Sequence, residues 1–186
     1  MKPAYALTAQ KLTVQRGSLS VLCEVDLSIH ATQWTCVVGP NGAGKTTLLK
    51  AMAGLLPSTG ELHVQDQDLR MLAAKDRAKM IAWLGQQEQG SDDLSVNDVV
   101  MLGRLPHQSD WLRTVRTHAQ QGHTVVSVLH DLNLALCAQQ LVVMDQGKVV
   151  MQSSADNPML HDCLKQVFGP QLSVHRVQDR WVVLPA

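Results

Sequence analysis

Residues 39–46 read Gly39-Pro40-Asn41-Gly42-Ala43-Gly44-Lys45-Thr46. Two glycines with four residues between them, then a lysine and a hydroxyl, form the phosphate-cradling pattern G-x-x-x-x-G-K-[ST]. Such a loop must let backbone N–H groups point inward at phosphate oxygens, and a Cβ on the inner side would hold them off. Lys45 then meets the β- and γ-phosphates, and the Thr46 hydroxyl binds Mg²⁺. A second group with chemistry is His130, which follows the apolar run 124–129. The C-terminal end of a strand is where an open α/β sheet gathers its ligand. That position favours a γ-phosphate contact for His130 over a core histidine. Asp131 reads equally well as the N-cap of a following helix.

These groups need a strand and a helix at fixed places. The run "WTCVVG" supplies a strand into Gly39, and a helix from Gly44 should bury Leu48, Leu49, Met52 and Leu55 before ending by Pro57. Upstream, "YALTAQKLTVQ" and "SVLCEVDLSIH" read as a strand pair. Downstream come a strand "GELHVQ", a helix "LAAKDRAKM", a strand "IAWLG" from Ile81, and a helix from Val96. A helix "LRTVRTHAQQG" then feeds a strand "HTVVSVL", a helix "HDLNLALCAQ", strands "QLVVMDQ" and "KVVMQS", and a helix over 160–168. The tail from Ser173 alternates as one or two more strands. Strands alternating with helices predict an α/β fold with antiparallel β additions at its N-terminal end and, as an open alternative, at its C-terminal end.

With 186 residues, 45% of them apolar, the chain has the size and composition of one domain, 1–186. Sixteen basic residues balance sixteen acidic ones, which gives no electrostatic case for nucleic acid or an anionic membrane surface. Cys23, Cys36, Cys137 and Cys163 show no C-x-x-C, and no basic-then-apolar leader follows Met1. Reduced thiols in a cytoplasmic protein are therefore expected. His63, His107, His118, His123, His161 and His175 lack metal-ligand spacing, so no metal cluster is expected. The longest apolar runs are too short to cross a bilayer, and any membrane role must be peripheral.

The longer string "GPNGAGKTTLLKAMAGLLPSTG" resembles the Walker A segment of ATP-binding cassette (ABC) ATPases. "AKMIAWLGQ" is similar to the run into their Q-loop, "LSVNDVVMLGRLPH" to the segment after it in importers of iron-siderophore, haem and cobalamin, and "GHTVVSVLHDLNLAL" to their switch-histidine strand and helix. The resemblance implies a P-loop NTPase core of RecA-like type with an antiparallel β-subdomain. It implies ATP and Mg²⁺ as cofactors, with residues 39–47, including Thr47, around the phosphates. Gln86 would ligate Mg²⁺ and sense a transmembrane partner, and His130 would reach the γ-phosphate. The family stacks adenine on an aromatic near the position of Arg16; a guanidinium can stack there, or Arg16 is a solvated turn residue. Thr32-Gln33 stands where a Gly-Glu is usual. The implied partners are a second ATP-binding chain, a pair of membrane permeases and, through them, a periplasmic binding protein, at the inner face of the plasma membrane.

Two family elements are missing. None of the twelve glycines adjoins another, so no L-S-G-G-Q signature exists. Of the three glutamates, Glu24, Glu61 and Glu88, none follows an apolar strand and an aspartate, so no Walker B Asp-Glu exists either. "LVVMDQ" mimics that pattern with Asp145 and Gln146, but its place after the switch histidine assigns it to another strand. The missing block is expected near residues 107–112, where "PHQSDWL" looks like a junction of two similar stretches. The chain is thus expected to lack the helical subdomain and the Walker B strand. The strand from Ile81 is then expected to move beside the strand from Thr124, with the P-loop strand still central. No N-K-x-D supports a guanine-specific GTPase.

Overall fold

The computed structural model describes residues 4–84 and 108–185. Gln86, the expected helix from Val96 and part of the expected junction lie outside the described residues. Strands β1 (Tyr5–Arg16), β2 (Leu19–His30), β4 (Thr59–Val64) and β5 (Gln67–Asp68) form an antiparallel sheet in the order β2-β1-β4-β5. A second sheet places β3 (Trp34–Val38) between β6 (Val125–Val128) and β7 (Gln140–Asp145), both parallel to it. β8 (Lys148–Ser153) closes that sheet antiparallel to β7. The P-loop strand β3 is interior to this sheet, as the family resemblance leads one to expect.

All five residues of β3 are buried, which a strand covered on both faces requires. Alternation along the strands divides the core in two. Val37, Val142 and Met144 face Leu48 and Met52 of helix α1 (Lys45–Met52) and the antiparallel sheet. Trp34, Cys36, Val38, Leu141 and Val143 face the opposite layer, made by helices α3 (Gln108–Gln120), α4 (Leu132–Ala135) and α5 (Pro158–Phe168). The hairpin of β9 (Leu172–Val177) and β10 (Arg180–Pro185) packs on this second layer. The four cysteines are free thiols, and burial in β3 pushes the Cys36 thiol up to about 12.

Four expectations need correction. α1 stops at Met52, and Leu55 is exposed. Gly54, at φ 69°, ends it with Gly54 N–H on Ala51 O and Leu55 N–H on Lys50 O, the paired bonds of a Schellman turn. The helix drawn from Leu112 begins at Gln108, and its Trp111 ring meets Trp34 edge-on at 5.3 Å. The helix after His130 spans only Leu132–Ala135.

The largest correction concerns Ile81, because residues 81–84 form no strand. Ile81 caps helix α2 (Ala74–Met80) and its N–H goes to Arg77 O. Among the described residues β6 pairs with β3 alone, so the closed-up sheet is not formed. Each β6 residue is only half-buried, whereas β3 is fully buried. A half-covered parallel edge exposes apolar surface and unpaired backbone groups. The purified chain should therefore enhance the fluorescence of an apolar dye under native conditions and scatter light increasingly with concentration. A sharp monomer that binds no dye would contradict an open β6 edge.

Candidate functional site

The site begins where β3 ends. Gly39 follows Val38 with φ 155°, and a Cβ there would run into the Met144 carbonyl of neighbouring β7. Gly42 and Gly44 take φ 82° and 95°, left-handed values that turn the loop into α1. Ala43 N–H donates to Pro40 O at 3.2 Å, and Leu48 N–H to Gly44 O at 2.8 Å, starting the helix. The loop is also held from outside: Gly147 N–H, in the turn between β7 and β8, donates to Ala43 O at 3.1 Å. Asp145 is the last residue of β7, and Gln146 lies beside Gly147 in the hairpin turn that braces the loop.

Lys45 is buried and its Nζ donates to Gly39 O at 2.7 Å and Pro40 O at 2.8 Å. Burial lowers its pKa from the ordinary lysine value, because a charge is costly away from water. No side chain caps α1 and its first turn holds no acidic residue. The cradle therefore offers N–H groups, a helix N-terminus and an ammonium, with no carboxylate of its own to answer them. That donor set fits polyphosphate.

A cleft of about 1120 Å³ opens over this loop. It brings together Asn41, Gly42, Gly44, Lys45, Thr46 and Thr47 with His130 at the end of β6. His130 is exposed there, and Asp131 caps α4 by accepting from Asn133 N–H at 2.8 Å and Leu134 N–H at 3.4 Å. Gly39, Pro40 and Ala43 shape the loop from behind. Arg16 is exposed at the last position of β1 and does not line the cleft. The far wall is mostly apolar, with Trp83, Trp111, Val115 and the β6 valines. Among the described residues the lining contains no Asp or Glu, and no three His, Cys, Asp or Glu side chains group into a metal site. Sequence reasoning missed Asn133 and Ser127; the Ser127 hydroxyl accepts from the Trp34 indole at 2.9 Å and lines the cleft.

Residues 22–154 match the sequence profile of the ABC transporter family, with the loop and His130 both inside the match. The chain belongs to that family. It is 27% identical over 253 residues to a hemin import ATP-binding protein, HmuV, of Rhodococcus jostii, spanning 98% of this chain and 87% of the relative. It is 41% identical over 104 residues to HmuV of Pseudomonas entomophila, covering 55% of this chain and 41% of the relative. It is 24% identical over 246 residues to an iron(3+)-hydroxamate import ATP-binding protein, FhuC, of Bacillus subtilis, covering 94% and 91%. The fold is similar to that of an ATP-binding cassette of an ABC transporter in its ADP conformation, at TM-score 0.65 and 16% identity, over 89% of this chain and 98% of that one. No helix among the described residues is long and apolar enough to cross a membrane.

Proposed function

We propose that this chain is the ATP-binding subunit of an importer for an iron chelate, haem or cobalamin, able to bind ATP–Mg²⁺ and deficient in hydrolysing it. The observation that carries this reading is the composition of one cleft: a complete phosphate cradle and His130, with no carboxylate among the described lining residues. Phosphoryl transfer to water is mostly positioning and charge stabilisation, and it needs a group to aim the water. Lys45 and the loop N–H groups hold the phosphate charge, the Thr46 hydroxyl would ligate Mg²⁺, and His130 would reach the terminal phosphate. Thr47 supports the cradle, Gln86 is assigned the second Mg²⁺ contact, and Arg16 the adenine, each by resemblance. The bound Mg²⁺ would supply charge neutralisation between the outer phosphates.

The relatives support an internal loss. The alignment to the Rhodococcus protein runs over 253 residues, longer than the chain of 186, while using 98% of it. The surplus falls as gaps within this sequence, in keeping with a missing Walker B strand, signature and helical subdomain near residues 107–112. In the intact family two chains sandwich ATP and drive permeases fed by a periplasmic binding protein. Loss of the signature weakens the sandwich and loss of the subdomain weakens permease docking.

The edge of β6, unpaired among the described residues, favours a second reading, a non-catalytic nucleotide-binding protein or an unstable gene remnant. Steady-state phosphate release separates activity from binding. The purified chain should hydrolyse ATP no faster than Lys45→Ala. Turnover that depends on Lys45 would refute the deficiency and make Asp145 the candidate carboxylate.

A further inference from the structure

The segment that carries His130 is tied to the far end of the chain. Asn133 sits in α4, three positions after His130, and both ends of its side-chain amide meet one residue of β10. Its Oδ1 accepts from Val183 N–H at 2.7 Å, and its Nδ2 donates to Val183 O at 3.4 Å. The amide thus acts as a single rung of a β-ladder against the outer edge of the hairpin, fifty residues away in sequence. The Asn133 backbone N–H is held by the Asp131 carboxylate at 2.8 Å. Leu129 and Leu132, on either side of His130 and Asp131, pack in the same core layer as Trp181 and Val183. The hairpin is itself pinned: the Trp181 indole donates to Asp156 Oδ1 at 2.9 Å, and its ring lies 4.3 Å from that of His161.

We propose that the Asn133–Val183 pairing makes the C-terminal hairpin a positioning element for His130, setting how strongly the site prefers a nucleoside triphosphate over the diphosphate. The proposal rests on His130 reaching the γ-phosphate, which only the triphosphate has. A four-residue helix has little cooperativity of its own. Its orientation must come from what it is tied to: the core layer under Ala135 and Leu136 and, through Asn133, the hairpin backbone. Freeing Asn133 lets the exposed His130 ring sample positions away from the phosphate. The cradle, anchored on β3, α1 and the β7–β8 turn, stays in place.

The test compares ATP–Mg²⁺ and ADP–Mg²⁺ affinities by calorimetry in the full chain. Asn133→Leu removes both amide contacts at similar volume. Val183→Pro removes the N–H that Asn133 accepts from, at an edge position where proline is tolerated, together with part of the Val183 packing in the core layer. Asn133→Asp keeps the acceptor. We expect both disruptive variants to lower the ATP-over-ADP ratio by about threefold to tenfold, the range for losing one such hydrogen bond. ADP affinity should be unchanged, and Asn133→Asp should retain most of the ratio. A wild-type ratio in whichever disruptive variant melts like the parent overturns the positioning role. His130→Ala separates the two layers of the argument. If it keeps the wild-type ratio, the reading of His130 fails and the proposal with it. If it collapses the ratio while folded Asn133→Leu and Val183→Pro do not, only the positioning role fails.

Discussion

Lys45→Ala should abolish measurable ATP binding, lowering affinity by about a hundredfold or more. The lysine supplies the ammonium of the loop itself, and a charge-assisted hydrogen bond to phosphate is worth about 1.5–3 kcal/mol. Two phosphates in reach make the loss about 3–6 kcal/mol, and each 1.4 kcal/mol is about tenfold in affinity. The free protein keeps Lys45 on Gly39 O and Pro40 O, so binding exchanges two carbonyl acceptors for phosphate oxygens. Lys45→Met keeps the apolar stem and loses only the charge, and it should bind as poorly. Equal affinity in wild type and mutant by calorimetry would refute a working P-loop.

The same residue gives a pH dependence. Burial lowers the Lys45 pKa below the ordinary 10.5. The ammonium is the form that binds phosphate, so ATP affinity should fall as pH rises through the lowered value, earlier than a solvated lysine would predict. Stability runs the other way. A folded-state lysine pKa below the unfolded one means folding releases a proton between the two values, so the cost of burying the charge is relieved as pH rises through that window. An affinity independent of pH up to the ordinary lysine range would show that burial leaves this ammonium unaffected.

The cradle and His130 were legible because their chemistry is local. Residues 39–46 carry their own turn geometry, and the apolar run before them can only be a covered strand. Leu55 was misread because the apolar spacing of α1 continues past Met52, while the chain turns at Gly54, a left-handed glycine that closes the Schellman bonds. Ile81 was misread for a different reason. "IAW" has strand-like composition, but a strand exists only where a neighbour offers a ladder, and among the described residues β6 meets β3 alone. The Asn133–Val183 pair left no local signal beyond an asparagine placed where helices disfavour it. Contacts that depend on which distant backbone edge is free are invisible to spacing and residue type.

Alanine at Gly39 and alanine at Gly42 should fail in opposite ways. At Gly39 the new Cβ meets the Met144 carbonyl, a backbone atom in a fully buried stretch of β7, and lies 3.2 Å from the Ala43 Cβ. Neither neighbour is the free end of a side chain, so β3 and β7 must part or the loop must shift. Overpacking and backbone strain of this kind cost about 2–5 kcal/mol, which lowers Tm by about 5–15 °C in a chain of this size. At Gly42 nothing lies within 4 Å of the added Cβ, and the backbone penalty of φ 82° is the main cost to the fold, about 1 kcal/mol. Gly42 lines the cleft, though, and its methyl group stands where the phosphates need close approach. Gly42→Ala should therefore melt within about 4 °C of wild type yet lose most of its ATP affinity. Gly39→Ala should melt far below it. Thermal melts with and without ATP read both effects, since a ligand that binds only the folded chain raises its Tm. Ligand-induced shifts of equal size in Gly42→Ala and wild type would mean that the phosphates sit elsewhere than over this loop.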